Sequence, residues 1–336
     1  MKASKKLLTV IIALILISSM SVGCSQSKTS NASETNNTGY PKKPIEMTVG
    51  FAAGGQADIV TRIVAEAASK YLPNKESIVV SNKTGASGSI QLAELFQQNP
   101  DGYKLGSVTT GNLIIQPNMG NTPYKSNDFA PISLLNSAPN LLVVKSDAPW
   151  KTFDEWLDYV KKNPSKFTYG TAGTGDTKHV AMETLNVTYE VKTKHVGFDG
   201  SAESITALLG GHIMGAIVGV QEAKPHTDAG KMRVLANLGS SKTDVYKDAP
   251  FLKEKGYPGF DTWTGILAPK NTPKDIVQAL DKAFEKALQQ PEVLAQFKKI
   301  GTEPTYAGPE EFKKIIKAST KTSAEIMKKS GLSEKQ

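Results

Sequence analysis

Two stretches of the chain combine small side chains with hydroxyls in a way suited to holding an anion. They are Phe51-Ala52-Ala53-Gly54-Gly55 and Gly170-Thr171-Ala172-Gly173-Thr174-Gly175. Glycine and alanine let a ligand approach the main chain closely, and each stretch leads into a helix whose first amides attract negative charge. One such loop from each of two lobes, facing across a cleft, would grip a carboxylate from both sides. Either loop alone is also what a tight strand-to-helix turn looks like.

Other chemistries lack their residues. The histidines His179, His195, His212 and His226 have no HxH, HExxH or CxxC neighbourhood, so no metal site is expected. His179 falls one turn into the helix after the second loop, where it reaches the cleft or braces that loop through a main-chain hydrogen bond. Ser87-Gly88-Ser89 and Thr174-Gly175-Asp176 lack the GxSxG context of a nucleophile elbow. The glycines also fall short of a dinucleotide fingerprint, so neither an enzyme nor a cofactor is expected. Arg62 and Arg233 are the only arginines and neither lies in a candidate loop, which argues against a bidentate arginine fork.

The elements that must position these loops alternate in type. Ile45 to Phe51 has the two-residue period of a strand, and Asp58 to Leu72 places Ile59, Val60, Ile63, Val64 and Ala67 on one helical face. Short apolar strands are predicted at 77–80, 104–108, 141–144, 167–170, 191–198, 215–220, 233–238 and 265–268. Thr152-Phe153-Asp154-Glu155 has capping-box spacing, and Ala202 to Leu209 runs up to a Gly210-Gly211 stop. Thr272-Pro273 supplies an N-cap and a first-turn proline, Pro291 restarts a helix, and Pro309 to Lys329 forms the last. Strands alternating with helices predict an α/β fold with parallel sheets covered on both faces.

The N-terminus reads as an export signal. Basic residues Lys2, Lys5 and Lys6 precede an apolar run from Leu7 to Ile17, which is shorter than the roughly 20 residues a membrane-spanning helix needs. Small residues follow, ending on Cys24, the single cysteine. Its setting after Ser21-Val22-Gly23 resembles a lipobox, with Ser21 where leucine is usual. Residues 25–39 are almost wholly polar and read as a flexible tether. Losing the three signal lysines lowers the net charge from +8 to +5, spread over helix faces with no basic aromatic stripe, so nucleic acid is not an expected partner.

The ordered set of motifs resembles one family, the substrate-binding receptors of tripartite tricarboxylate transporters, also called the Bug family of extracytoplasmic solute receptors. The residues carrying the resemblance begin with Tyr40-Pro41-Lys42-Lys43-Pro44-Ile45, the first glycine loop with Asp58, Asn82-Lys83-Thr84-Gly85-Ala86-Ser87-Gly88 and Pro100-Asp101-Gly102-Tyr103. Ala130-Pro131-Ile132-Ser133, the second glycine loop with His179, and His195-Val196-Gly197-Phe198-Asp199-Gly200 follow. Gly230-Lys231-Met232-Arg233-Val234-Leu235-Ala236 and Ala268-Pro269-Lys270-Asn271-Thr272-Pro273 complete it. Two positions depart from the family pattern: Gly50 replaces a proline, and Asp199 replaces a lysine in a Val-Pro-Tyr-Lys-Gly-like motif. Asp199 either faces the cleft, where it would repel a second carboxylate or accept from an amine, or faces solvent or caps the next helix.

The resemblance implies a two-lobed, type II periplasmic-binding-protein-like (Venus flytrap) α/β fold with the ligand between the lobes. It also implies that amides, hydroxyls and ordered water hold the ligand carboxylate. The expected organisation is a lipoprotein signal peptide at 1–23, a lipid-anchored tether at 24–39, lobe 1 at 40–142 plus 267–336, and lobe 2 at 143–266. Expected ligand contacts are Phe51, Ala53, Gly54, Gly55, Thr110, Thr171, Ala172, Thr174, Gly175, Asp176, Phe198 and Asp199, with Cys24 as the lipidation site. The expected role is that of a monomeric lipoprotein on the outer face of the cell membrane, which delivers a small organic carboxylate to integral-membrane transporter subunits. Presentation of the ligand to a membrane sensor kinase is the alternative.

Overall fold

The computed structural model describes residues 39–120, 122–329 and 331–332. The signal segment, Cys24 and the tether up to residue 38 lie outside the described residues. Among the described residues no helix is long and apolar enough to cross a membrane.

Among the described residues, ten strands form one continuous sheet in two halves. In the first half β1 (Ile45–Val49) lies between β2 (Ile78–Asn82) and β3 (Lys104–Thr109), parallel to both. In the second, β5 (Thr168–Thr171) lies between β6 (Lys194–Gly197) and β7 (Gly215–Gly219), also in parallel. The long strand β4 (Phe129–Lys145) joins the halves. Its first part pairs with β9 (Asp261–Pro269) and β10 (Pro304–Ala307), and its second part with β7 and β8 (Met232–Asn237).

All pairings of β4, and that of β3 with β9, are antiparallel, so the sheet is mixed where the alternation of elements predicted it parallel. A strand shared by both halves meets the chain returning from the second half head-on. The change of partner falls at Pro139, which pairs with Asp261, and Asn140, which pairs with Gly219. A proline lacks the amide that a central ladder needs and is tolerated where pairing changes hands.

Helices cover both faces. α1 (Gln56–Ser69) buries Val60, Val64, Ala67 and Ala68 in a cluster shared with Leu280, Phe284 and Ala287 of a later helix at Lys274–Leu288. α2 (Ser89–Phe96), which the sequence patterning did not single out, sends Leu92 and Leu95 against Val108 and Leu267. In the second half, α3 (Phe153–Lys162) has Thr152 as its cap, the hydroxyl accepting from Glu155 N at 3.2 Å. The apolar face of α3 joins Trp150, Trp156 and Phe167 in an aromatic core. α4 (Thr177–Thr188), α5 (Ser201–Leu209) and α6 (Val220–Asp228) follow β5, β6 and β7.

At α7 (Lys274–Leu288) the N-cap position belongs to Pro273, and Thr272 instead donates its hydroxyl to Pro269 O at 2.7 Å. After α8 (Pro291–Lys299), the last helix α9 (Pro309–Lys329) straps the halves together. Its Phe312 and Ile316 pack on Trp263 and Leu267, while Ile326 and Met327 enter the aromatic core of the second half.

Candidate functional site

The first glycine loop is held by Asp58, which is buried in the opening turns of α1. Its carboxylate accepts from Gly54 N at 3.0 Å, Arg62 Nε at 2.8 Å and Asn82 Nδ2 at 2.8 Å. Gly54 takes a φ of +80°, which only glycine adopts without strain. Gly55 is the N-cap of α1 and aims the first amides of that helix at the second half of the molecule.

The second loop is built the same way with different parts. Asp176 caps α4, accepting from His179 N at 2.7 Å, and Gly175 N donates back to His179 Nδ1 at 3.1 Å. Thr171 Oγ1 donates to Gly173 O at 3.0 Å, accepts from Gly173 N and lies within hydrogen-bond distance, 2.9 Å, of His195 Nε2. His179 and His195 stack with centroids 4.0 Å apart. Burial holds both imidazoles neutral, pulling His179 down to about 4 and His195 to about 3, the latter with help from His179.

The two loops meet. Ala52 N donates to Asp199 O at 3.1 Å, and Thr174 O accepts from Ser87 Oγ and from Gln116 Nε2, each at 2.7 Å. Gly173, with φ of +127°, allows this approach, because a Cβ there would lie 2.3 Å from Ser87 Oγ. Phe51, Val49 and Ala57 of the first half share a small apolar cluster with Ala172 of the second.

Beneath the loops lies a cavity of about 20 Å³, which is room for about one water molecule. The first half lines it with Phe51, Gly55, Gln56, Ala57, Thr109 and Thr262, and the second with Ala172, Asp176, Thr177, Lys178, Ser201 and Glu222. Its charged groups are Asp176, Lys178 and Glu222. Lys178 Nζ lies 3.0 Å from Glu222 Oε2 and 3.2 Å from Oε1, and donates to Ser201 Oγ at 2.6 Å. Burial alone would raise the Glu222 carboxyl. The Lys178 ammonium and the amides of Gly219 and Gln56 outweigh it and hold the group below the usual carboxylate range. Asp176 goes the other way: burial pushes it up to about 6 against the pull of Lys178 and the His179 amide.

An outer groove of about 720 Å³ opens on the far side of the loop contact, between Ala86, Ser87, Gln116 and Met119 on one wall and Thr174, Phe198, Asp199 and Glu203 on the other. The sequence-derived site residues therefore divide. Phe51, Gly55, Ala172 and Asp176 line the cavity, while Thr174, Phe198 and Asp199 line the groove. Gly54, Thr171 and Gly175 shape the loops, and Ala53 is exposed at the tip of the first. Asp199 is exposed, and its amide donates to Glu203 Oε2 at 3.0 Å, so the residue that braces the start of α5 is Glu203. Thr110 is not among the residues lining the cavity: its hydroxyl accepts from Trp263 N at 3.4 Å, and its neighbour Thr109 lines the cavity.

Patterning missed Lys178, Glu222, Gln56, Ser201 and Thr262. The argument against a cationic fork considered arginines only, whereas a buried lysine, Lys178, lines the cavity. Among the described residues no cluster of three or more His, Cys, Asp or Glu is placed to hold a metal ion.

Two lobes on one shared sheet, joined by crossing strands and closing two glycine loops over a polar cavity, define an extracytoplasmic solute-binding protein of the periplasmic-binding-protein fold. The sequence profile described as tripartite tricarboxylate transporter family receptor matches residues 60–332, and the chain belongs to that family. A UPF0065 protein from the gbd 5′ region of Cupriavidus necator is 34% identical over 305 residues, covering 88% of this chain and 90% of that protein. The periplasmic binding protein BugD superposes with a TM-score of 0.80 at 31% identity, over 88% of this chain and 100% of its own. MatC from Rhodopseudomonas palustris with bound malate superposes at 0.80 and 26% identity, over 85% and 99%.

Proposed function

We propose that this chain captures a small organic carboxylate outside the cytoplasm and delivers it to the membrane subunits of a tripartite tricarboxylate-type transporter, standing on the membrane through a lipid at Cys24. The observation that carries the reading is the pairing of a buried ammonium with a helix N-terminus at the place where the two loops close. Lys178 Nζ and the first amide of α1 both point at one carboxylate-sized seat, now filled by Glu222. The malate held by MatC supports the same chemical class. Delivery to a transporter rests on family membership, and the lipid anchor on the setting of Cys24. The division into lobe 1 at 40–142 plus 267–336 and lobe 2 at 143–266 belongs to the same proposal.

The test is thermal unfolding of residues 25–336 against mono-, di- and tricarboxylates, amino acids and sugars. A solute at 100 times its dissociation constant adds about 2.7 kcal/mol, a shift of several degrees. A shift confined to one carboxylate class supports the reading. A shift with sugars alone would sink it.

A further inference from the structure

Glu222 is the third residue of α6, and a glutamate there ordinarily serves its own helix by accepting from the N-cap amide. One oxygen does so, accepting from Gly219 N at 2.6 Å. The other accepts from Gln56 N of α1, also at 2.6 Å, across the cleft. Both oxygens meet the Lys178 ammonium. One carboxylate thus receives two main-chain amides, one from the start of a helix in each lobe, together with a buried cation.

Those are the donors an incoming carboxylate would need, and they are taken. The space left, about 20 Å³, suits a water and no dicarboxylate. The site also has a second mark of ligand chemistry: Gln56 is almost fully buried, its Nε2 is committed to Thr262 O at 2.9 Å, and its Oε1 has no partner, an acceptor left for a solute hydroxyl or a water beside the carboxylate seat. The charges give the same direction. With Glu222 in place, the ionised cavity carries two carboxylates against one ammonium, which repels an anion; with Glu222 swung out, Lys178 is released to receive one.

We propose that the Glu222 carboxylate is a built-in stand-in for the solute's carboxylate: it latches the lobes together through Gln56 N and Lys178, and a carboxylate solute binds by displacing it. This rests on the carboxylate-receptor reading above and assigns its anion seat to Gln56 N, Gly219 N and Lys178 Nζ. Glu222 then sets affinity by competition. If the latched form makes up nine tenths of the solute-free protein, the apparent affinity is about tenfold weaker than the intrinsic one.

Two measurements test this on residues 25–336. Small-angle scattering without solute reads the latch directly. Wild type is compact, and Glu222→Gln and Glu222→Asp, one lacking the charge and the other the reach, have a larger radius of gyration while unfolding cooperatively. Calorimetry with the carboxylate found by the unfolding screen reads the competition: Glu222→Gln binds about tenfold more tightly, and Lys178→Met loses binding. A solute-free scattering profile that neither Glu222 variant changes overturns the latch. Weaker binding by Glu222→Gln overturns the competition and makes Glu222 a solute contact, as a ligand ammonium would require. If no carboxylate binds wild type or variant, the receptor reading fails instead, and the scattering comparison still decides the latch.

Discussion

Asn140 and Thr262 are joined side chain to side chain, Thr262 Oγ1 donating to Asn140 Oδ1 at 2.9 Å, at the point where β4 changes partners. Asn140 also donates to Phe260 O at 2.9 Å, so one amide ties the outgoing strand to the returning one. Asn140→Ala leaves a buried hydroxyl and a buried carbonyl short of partners and should cost about 2 kcal/mol of stability. Denaturant unfolding measures it; a loss below about 0.5 kcal/mol would mean that the crossing is held by its ladder alone.

Gly173 is required by two independent constraints, a φ of +127° and the nearness of Ser87 Oγ. Gly173→Ala should therefore weaken solute binding at least tenfold while lowering stability by only about 1 kcal/mol. Pairing it with Ser87→Gly, which suits the positive φ of Ser87, should recover part of the affinity. Calorimetry on the two single variants and the double variant checks this, and additive losses would remove the Gly173–Ser87 approach from the closing step.

Asp176 and the histidine pair give pH signatures of opposite sign. The carboxyl of Asp176 is raised when folded, to about 6, so its contribution to stability is complete below about 4 and is lost as pH rises through 6. Asp176→Asn keeps an N-cap acceptor and removes that loss. The variant should gain about 2–3 kcal/mol over wild type between pH 4 and pH 8. The depressed imidazoles of His179 and His195 do the reverse: their contribution is present above about 6.5 and is lost as pH falls toward 4 and 3. Unfolding midpoints at pH 4, 6 and 8 separate the two, and a pH-independent difference between Asp176→Asn and wild type would contradict the assignment.

Cys24→Ser should move the chain from the membrane fraction to the soluble extracytoplasmic fraction without altering solute affinity. Fractionation and immunoblotting decide it; a variant still held at the membrane would place the anchor elsewhere.

The loops were legible in the sequence because their constraint is local: glycines at turns, then an apolar helical face at Val60, Val64 and Ala67. Lys178 and Glu222 were not, because a lysine or glutamate in the first turn of a helix reads as solvated or capping, and only tertiary packing turns those faces inward. Thr110 follows the last residue of β3 with helical backbone, so the strand's alternation stops before it, whereas Thr109, still in the strand, lines the cavity. Only residues 141–144 of β4 read as a strand, since Pro131, Asn136, Pro139 and Asn140 interrupt the apolar run. Those same residues serve the change of partners. Pro131 and Asn136 adjoin shifts in register, and Pro139 and Asn140 mark the crossing.

β4 itself has a mechanical consequence. Seventeen residues of unbroken strand run through both lobes, so the lobes are two ends of one plank and no slack tether separates them. Parting them must flex that plank against its hydrogen-bonded neighbours and drag on the α9 strap that spans the joint. The plank therefore acts as a spring, and its rest position sets how far the jaws part once the Glu222 latch is released.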